Sequence, residues 1–145
     1  IFATQGVSRV VKGKDNMALF DALLKVQDEA GDKSLTFVNF VDFDQAFGHR
    51  RDVTGYSNAL HEMDARLPEF LARMQEGDVA VITADHGCDP TWPGSDHTRE
   101  HIPMIFFGPG VIPQQLPISE SFSDIGQTLA HHLGVPPLSN GNNLL

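Results

Sequence analysis

The stretch Leu35–Phe43 (LTFVNFVDF) is apolar at nearly every position, and it constrains the fold more than any other feature of the sequence. Strands with one solvated face alternate apolar and polar residues, whereas strands buried on both faces read as continuous apolar runs. Such a run predicts a parallel sheet that is covered by helices on both sides. The expected fold class is therefore α/β, a three-layer αβα arrangement with a mostly parallel sheet.

Helices and strands are predicted to alternate along the chain. Apolar residues at helical spacing, with capping residues before them, predict three helices: Met17–Glu29 after Asn16, Val53–Gln75, and Asp124–Leu133 after Ser123. Two more apolar runs predict the strands Asp78–Thr83 and Ile102–Phe107. Pro68 should kink the second helix or split it. The length of 145 residues fits one domain.

Composition and charge exclude several classes of protein. The formal net charge of -9 argues against non-specific nucleic-acid binding, which needs Lys and Arg along the phosphates. With Cys88 as the one cysteine, no intrachain disulfide can form, which favours a reducing compartment and a cytoplasmic location. No apolar run reaches the roughly 18–20 residues of a membrane span, and no secretory signal is recognised.

Acidic residues and histidines cluster in three short motifs, each after a predicted strand or in a loop beyond one. The members are Asp44, His49, Asp85, His86 and His97. Binding sites of open parallel sheets form outside the carboxyl ends of the strands, which would bring these segments together. Carboxylate and imidazole are ligands for zinc or manganese, and a single catalytic zinc takes about three protein ligands. The set therefore favours a two-metal site, of the kind used mostly for displacement at phosphorus.

Four basic residues lie close to these motifs in the sequence: Arg50, Arg51, Arg99 and His101. The arginines could neutralise a phosphate or anchor the carboxylates of the metal ligands, and the second interpretation is favoured. His101 precedes a predicted strand and is expected to hydrogen-bond near the site. His61 lies on a predicted helix and is interpreted as a solvated surface residue.

Three longer segments carry a family resemblance: NFVDFDQAFGHRRDVTGY, TADHGCDPTWPGSDHTREHIP and FSDIGQTLAHHLG. They resemble the C-terminal part of the phosphopentomutases, manganese enzymes of the alkaline-phosphatase superfamily. The likeness runs from about Asn16 to His132, and the steps from Asp44 to His49 and from His86 to His97 fit this family. Cofactor-independent phosphoglycerate mutases share the DHG motif but are less similar at these spacings.

The resemblance implies a binuclear Mn²⁺ site in an alkaline-phosphatase-like core. Asp44, His49 and His97 would hold one ion, and Asp85 and His86 the other, which an upstream Asp completes. A phosphorylated Thr, also upstream, would carry the phosphoryl group, so no catalytic nucleophile is expected in this chain. The implied substrates are the 1- and 5-phosphates of ribose or deoxyribose, contacted by a cap domain.

By this resemblance, residues 1–145 correspond to the C-terminal half of the core domain, without the N-terminal core segment and the cap. The chain alone is expected to be inactive, and an exposed sheet edge could pair with a second copy. Two alternatives stay open. One is a metal-dependent phosphohydrolase or another phosphomutase of the same superfamily, and the other is a non-catalytic metal-binding fragment.

Overall fold

The computed structural model describes residue 3 and residues 5–145, which form two compact units. The first unit contains Leu35–Arg73, Ala84–Ile102 and the described residues up to Ala30. The second contains Gly31–Ser34, Met74–Thr83 and Pro103–Leu145. Among the described residues, no helix combines the length and the apolar character that crossing a membrane requires. All of the candidate metal ligands belong to the first unit.

Helix α1 spans Asn16–Glu29, which confirms the first predicted helix. Its cap is Asp15 rather than Asn16, since the Asp15 carboxylate accepts a hydrogen bond from the N–H of Ala18 at 2.8 Å. Asn16 is buried, with 4% of its surface exposed, and bonds to another segment of the chain. Its N–H donates to the Asp42 carboxylate at 2.8 Å, and its Oδ1 accepts from the Asp42 N–H at 3.2 Å. Asn16 thereby fixes the start of α1 to the segment that enters the candidate site.

Helix α2 spans Val53–Leu71, with the Asp52 side chain as its N-terminal cap. Pro68 lies inside this one helix, so the predicted split does not occur, and α2 ends earlier than predicted. Between α1 and α2 lies the small core of the first unit, where Phe20 is 1% exposed and Ala59 is 6% exposed. Burial of a Phe side chain stabilises a fold by about 1.5–3 kcal/mol. The guanidinium of Arg66 on α2 lies 4.7 Å from the centroid of the Phe20 ring, so Phe20 joins the two helices.

The strand predicted over Leu35–Phe43 is not formed, and that prediction is wrong. Residues 35–40 are irregular, with Leu35 64% and Phe37 63% exposed. The chain then enters a π-helix, Phe43–Gly48. Strand propensity measures how well a residue fits a pleated, half-buried surface, and such a surface requires neighbouring strands. In the described part of the chain the one sheet has two strands, and this segment belongs to neither of them.

The second unit contains strands β1, Ala80–Thr83, and β2, Met104–Phe107. Both lie within predicted strands but are shorter. They pair antiparallel, with Ala80 opposite Phe107, so the predicted parallel sheet is not confirmed. Ile82 and Ile105 face each other across the pair and are 41% and 52% exposed. This sheet therefore presents an apolar cross-strand pair at its surface.

Helix α3 spans Ser123–His132, which confirms the last predicted helix but not its cap. The position before the helix is Phe122, and it makes no side-chain capping bond. Asp124, which is 5% exposed, accepts hydrogen bonds from the Ser119 hydroxyl at 2.5 Å and from the Asn142 N–H at 2.8 Å. These donors, the Ser119 hydroxyl first, hold the pKa of Asp124 below its usual value. The polar segment after α3 is thus attached to the helix through its backbone.

Candidate metal centre

The π-helix places Asp44 and His49 on the same side of the chain. The His49 N–H donates to the Asp44 carbonyl at 2.9 Å, so the step of five residues between them closes one π-helical turn. Their side chains also approach, with His49 Nε2 at 3.4 Å from Asp44 Oδ2. The two residues of the first motif therefore reach the centre as a pair.

His97 completes a triangle with this pair. Its Nε2 lies 3.2 Å from His49 Nε2 and 3.3 Å from Asp44 Oδ1. Ligand atoms at about 2.0–2.1 Å from a tetrahedral ion would be separated by about 3.3–3.4 Å. The donor atoms of Asp44, His49 and His97 thus have the spacing of ligands that share one ion. Carboxylate and imidazole also suit a borderline divalent metal chemically.

Backbone carbonyls orient two of the imidazole rings. His49 Nδ1 lies 2.5 Å from the Ser95 carbonyl, and His86 Nδ1 lies 3.0 Å from the Gly87 carbonyl. A carbonyl can only accept, so it selects the tautomer with the proton on Nδ1 and leaves a lone pair on Nε2. This is the arrangement in which metal-binding histidines are commonly held.

The TADHG motif joins the same cluster through His86. The His86 ring stacks on the His97 ring with centroids 3.6 Å apart. Ligand atoms of Asp44, His86 and His97 all lie within 4.8 Å of one another. Asp85 is at the edge, with its side chain 85% exposed and Oδ1 at 3.5 Å from His86 Nε2. The structure brings four of the predicted ligands into one cluster, Asp44, His49, His86 and His97, with Asp85 beside His86 at its edge, and their division between two ions stays a prediction.

Gly87 allows the two histidine-bearing segments to approach each other. It forms an isolated antiparallel bridge with Thr98, whose N–H donates to the Gly87 carbonyl at 3.2 Å. A Cβ atom at Gly87 would lie 2.7 Å from the Thr98 carbonyl oxygen and 2.7 Å from the Glu100 nitrogen. Only glycine permits this bridge, which sets His86 and His97 side by side.

Cys88 lies beneath the cluster rather than in it. Its Sγ is 3.8 Å from Asp44 Oδ1, and a Cβ atom added at Gly48 would collide with that sulfur. Burial raises the pKa of the Cys88 thiol, and the Asp44 carboxylate raises it further. The thiol is therefore neutral at neutral pH, and Cys88 acts as a small packing residue.

Comparison with known proteins identifies the family of this chain. The sequence model of the Metalloenzyme superfamily matches residues 3–137. The chain belongs to the Metalloenzyme superfamily. Within the superfamily it is similar to proteins named phosphopentomutase: 53% identical to that of Agrobacterium fabrum, 54% to that of Sinorhizobium medicae and 52% to that of Yersinia pestis. Each match covers 100% of this chain and 36% of the relative. The resemblance to phosphopentomutases is thus confirmed, and the chain spans about a third of their length.

The four basic candidates of this superfamily member differ in what they contact. Arg50, Arg99 and His101 are exposed, and none of them makes a hydrogen bond or ion pair with another residue that the structure describes. Arg51 is half-buried and donates to backbone carbonyls rather than to the ligand carboxylates. Sequence reasoning missed these acceptors, and it also missed the Ser95 carbonyl, because backbone atoms carry no residue-type signal.

Proposed function

We propose that this chain carries the metal-binding part of a phosphopentomutase. The parent protein would interconvert the 1-phosphate and the 5-phosphate of ribose or deoxyribose. The proposal rests on the sequence identity of 52–54% to phosphopentomutases, in alignments that cover all 145 residues of the chain. The cluster of one carboxylate and three imidazoles supports it, because it is the donor set that such a metalloenzyme needs.

The proposed site holds two Mn²⁺ ions. Asp44, His49 and His97 would bind one ion, and Asp85 and His86 would contribute to the other. When bound, such a pair of ions offsets negative charge on the oxygens of a phosphoryl group and aligns it for in-line displacement. The protein's own part is orientation, because the Ser95 and Gly87 carbonyls hold the His49 and His86 rings in the tautomer with an unprotonated Nε2.

The hydroxyl groups near the cluster support a nucleophile outside this chain. The Thr91 hydroxyl donates to the Asp89 carboxylate at 2.6 Å. The Thr98 hydroxyl donates to the Glu100 carboxylate at 2.6 Å and accepts from the Asp89 N–H, also at 2.6 Å. Both hydroxyls are engaged in the loop itself. The proposal therefore assigns the phosphorylated Thr, one further Asp ligand and the cap domain to other parts of the parent protein.

Three further features complete the proposal. Residues 1–145 would be the C-terminal half of an alkaline-phosphatase-like core whose full sheet is mostly parallel, and the enzyme would act in the cytoplasm. The sugar phosphate would be its partner, and nucleic acid would not. The exposed pair Ile82 and Ile105 favours self-association of this chain through its small sheet.

The test is a coupled assay of the full-length parent protein with Mn²⁺. Conversion of ribose 1-phosphate to ribose 5-phosphate is the expected result, with no turnover by the 145-residue chain alone. Absence of isomerisation by the parent would refute the proposed substrate. Release of free phosphate that outpaces isomerisation would instead identify a phosphohydrolase, since a mutase must keep water from the phosphoryl group.

A further inference from the structure

Arg51 donates hydrogen bonds to four backbone carbonyls around the metal centre. Nε donates to Gly94 at 2.5 Å, and Nη2 donates to Asp96 at 2.5 Å. Nη1 donates to Asp89 at 2.9 Å and to Gly48 at 3.3 Å. A guanidinium has five N–H donors, so most of its capacity is used on carbonyls of the protein. Few N–H donors of Arg51 remain for a phosphate or for the carboxylate of a metal ligand. Such a carboxylate is the partner predicted for this arginine from the sequence.

These carbonyls come from both sides of the centre. Gly48 directly precedes His49 and belongs to the π-helix that carries Asp44. Gly94 and Asp96 flank Ser95, whose carbonyl orients His49, and Asp96 directly precedes His97. One planar guanidinium therefore joins the turn that bears two of the donor residues to the loop that bears the third.

The backbone of Arg51 has an uncommon conformation. Its φ is 55°, in the left-handed region, where residues other than Gly, Asn and Asp are uncommon. Strain of this kind persists only where surrounding contacts enforce it, and it concentrates at functional sites. The neighbouring Arg50 is exposed and has no left-handed φ. Of these two adjacent arginines, the one that reaches the loop is the one with the left-handed φ.

We propose that Arg51 is a positioning residue of the metal centre. It fixes the loop of residues 89–97 on the π-helical turn, so that His49 and His97 reach the same ion as Asp44. This inference rests on the proposed metal function of the cluster, but it concerns a residue that is neither a ligand nor a substrate contact. The fork geometry is essential, because the ammonium of a lysine cannot satisfy carbonyls in four directions.

The test compares Arg51→Gly and Arg51→Lys with the matched control Arg50→Gly in the full chain. Mn²⁺ affinity is measured by electron paramagnetic resonance of the free ion. Both Arg51 variants should bind about 10- to 100-fold more weakly, as for other losses of groups that support metal ligands. Arg50→Gly should keep the affinity of the unaltered chain. Because glycine accepts a φ of 55°, relief of the backbone strain should offset part of the stability that is lost with the four hydrogen bonds, so Arg51→Gly should remain folded without urea.

Two further measurements separate positioning from a general structural role. Millimolar guanidinium chloride should restore Mn²⁺ affinity to Arg51→Gly by occupying the vacated space. In metal-free protein, amide hydrogen exchange of residues 89–97 should be faster in Arg51→Gly than in Arg50→Gly. Equal exchange in the two variants, or full affinity in Arg51→Lys, would overturn the inference. A failure of the unaltered chain to bind Mn²⁺ would instead refute the assignment of Asp44, His49 and His97 as a set sufficient to hold an ion, and the exchange result would still decide the role of Arg51.

Discussion

Replacement of Gly48 by alanine should destabilise the π-helical turn that carries the metal ligands. The new Cβ would collide with Cys88 Sγ and would lie 2.9 Å from the Phe43 carbonyl oxygen. Overpacking of a core typically costs about 1–3 kcal/mol. The substitution also removes glycine's freedom in the unfolded chain, which returns about 0.4–1 kcal/mol. The net loss in the free energy of unfolding should therefore be about 1–2 kcal/mol.

The collision with Cys88 gives this prediction a rescue variant. Cys88→Ala removes the sulfur, so Gly48→Ala should cost about 1 kcal/mol less in that background than in the unaltered chain. Gly31→Ala is the matched control, since a Cβ there meets no atom within 4 Å and its φ is not positive. That control should be neutral or stabilising by up to about 1 kcal/mol.

Urea unfolding followed by circular dichroism provides the measurement. A lower midpoint at unchanged slope would show that Gly48→Ala changes stability rather than the compactness of the unfolded chain. Mn²⁺ affinity should fall as well, because Gly48 lies between Asp44 and His49. The packing argument would be refuted by a Gly48→Ala chain as stable as the original, or by strict additivity of Gly48→Ala and Cys88→Ala.

Two other predictions concern the ligand set and the second unit. His97→Ala should weaken Mn²⁺ binding at least about tenfold, whereas His61→Ala, exposed on α2, should leave it unchanged; equal effects in calorimetric titration would contradict the ligand assignment. The folded-state pKa of Asp124 lies below its unfolded value of about 3.9. Its carboxylate therefore stabilises the fold above that pH, and this contribution is lost as the pH falls through the lowered folded-state pKa. Asp124→Asn should flatten thermal stability against pH in this acidic range, and Asp64→Asn, an exposed control, should not; identical profiles would show that the Ser119 contact has no energetic weight.

Local signals in the sequence predicted the helices well. Apolar residues at helical spacing identified α1, α2 and α3 with bounds close to those observed. The cap of α1 was misassigned because Asp15 and Asn16 are adjacent and both are good capping residues. Only the packed structure distinguishes them, since Asn16 bonds to Asp42, which is distant in sequence. Errors of this size come from tertiary contacts that no local pattern contains.

The strand over Leu35–Phe43 failed for a deeper reason. An apolar run reports that a segment suits a buried sheet, but the sheet also needs partner strands, and among the described residues this segment has none. The apolar runs that predict β1 and β2 likewise do not indicate whether the two strands pair parallel or antiparallel. The metal ligands were easier to predict, because Asp and His side chains in short motifs carry the chemistry themselves. The backbone carbonyls that orient these side chains occur in every residue, so the residue type does not reveal them.

The π-helix between Asp44 and His49 makes the length of this segment more important than its composition. The two donor residues face the same way because five residues complete the turn, as the bond from the His49 N–H to the Asp44 carbonyl shows. An α-helix turns by about 100° per residue, so the same step of five residues at α-helical pitch would place His49 about 140° around the helix axis from Asp44. The donor pair therefore depends on the match between the number of residues and the winding of the segment, rather than on which side chains lie between them.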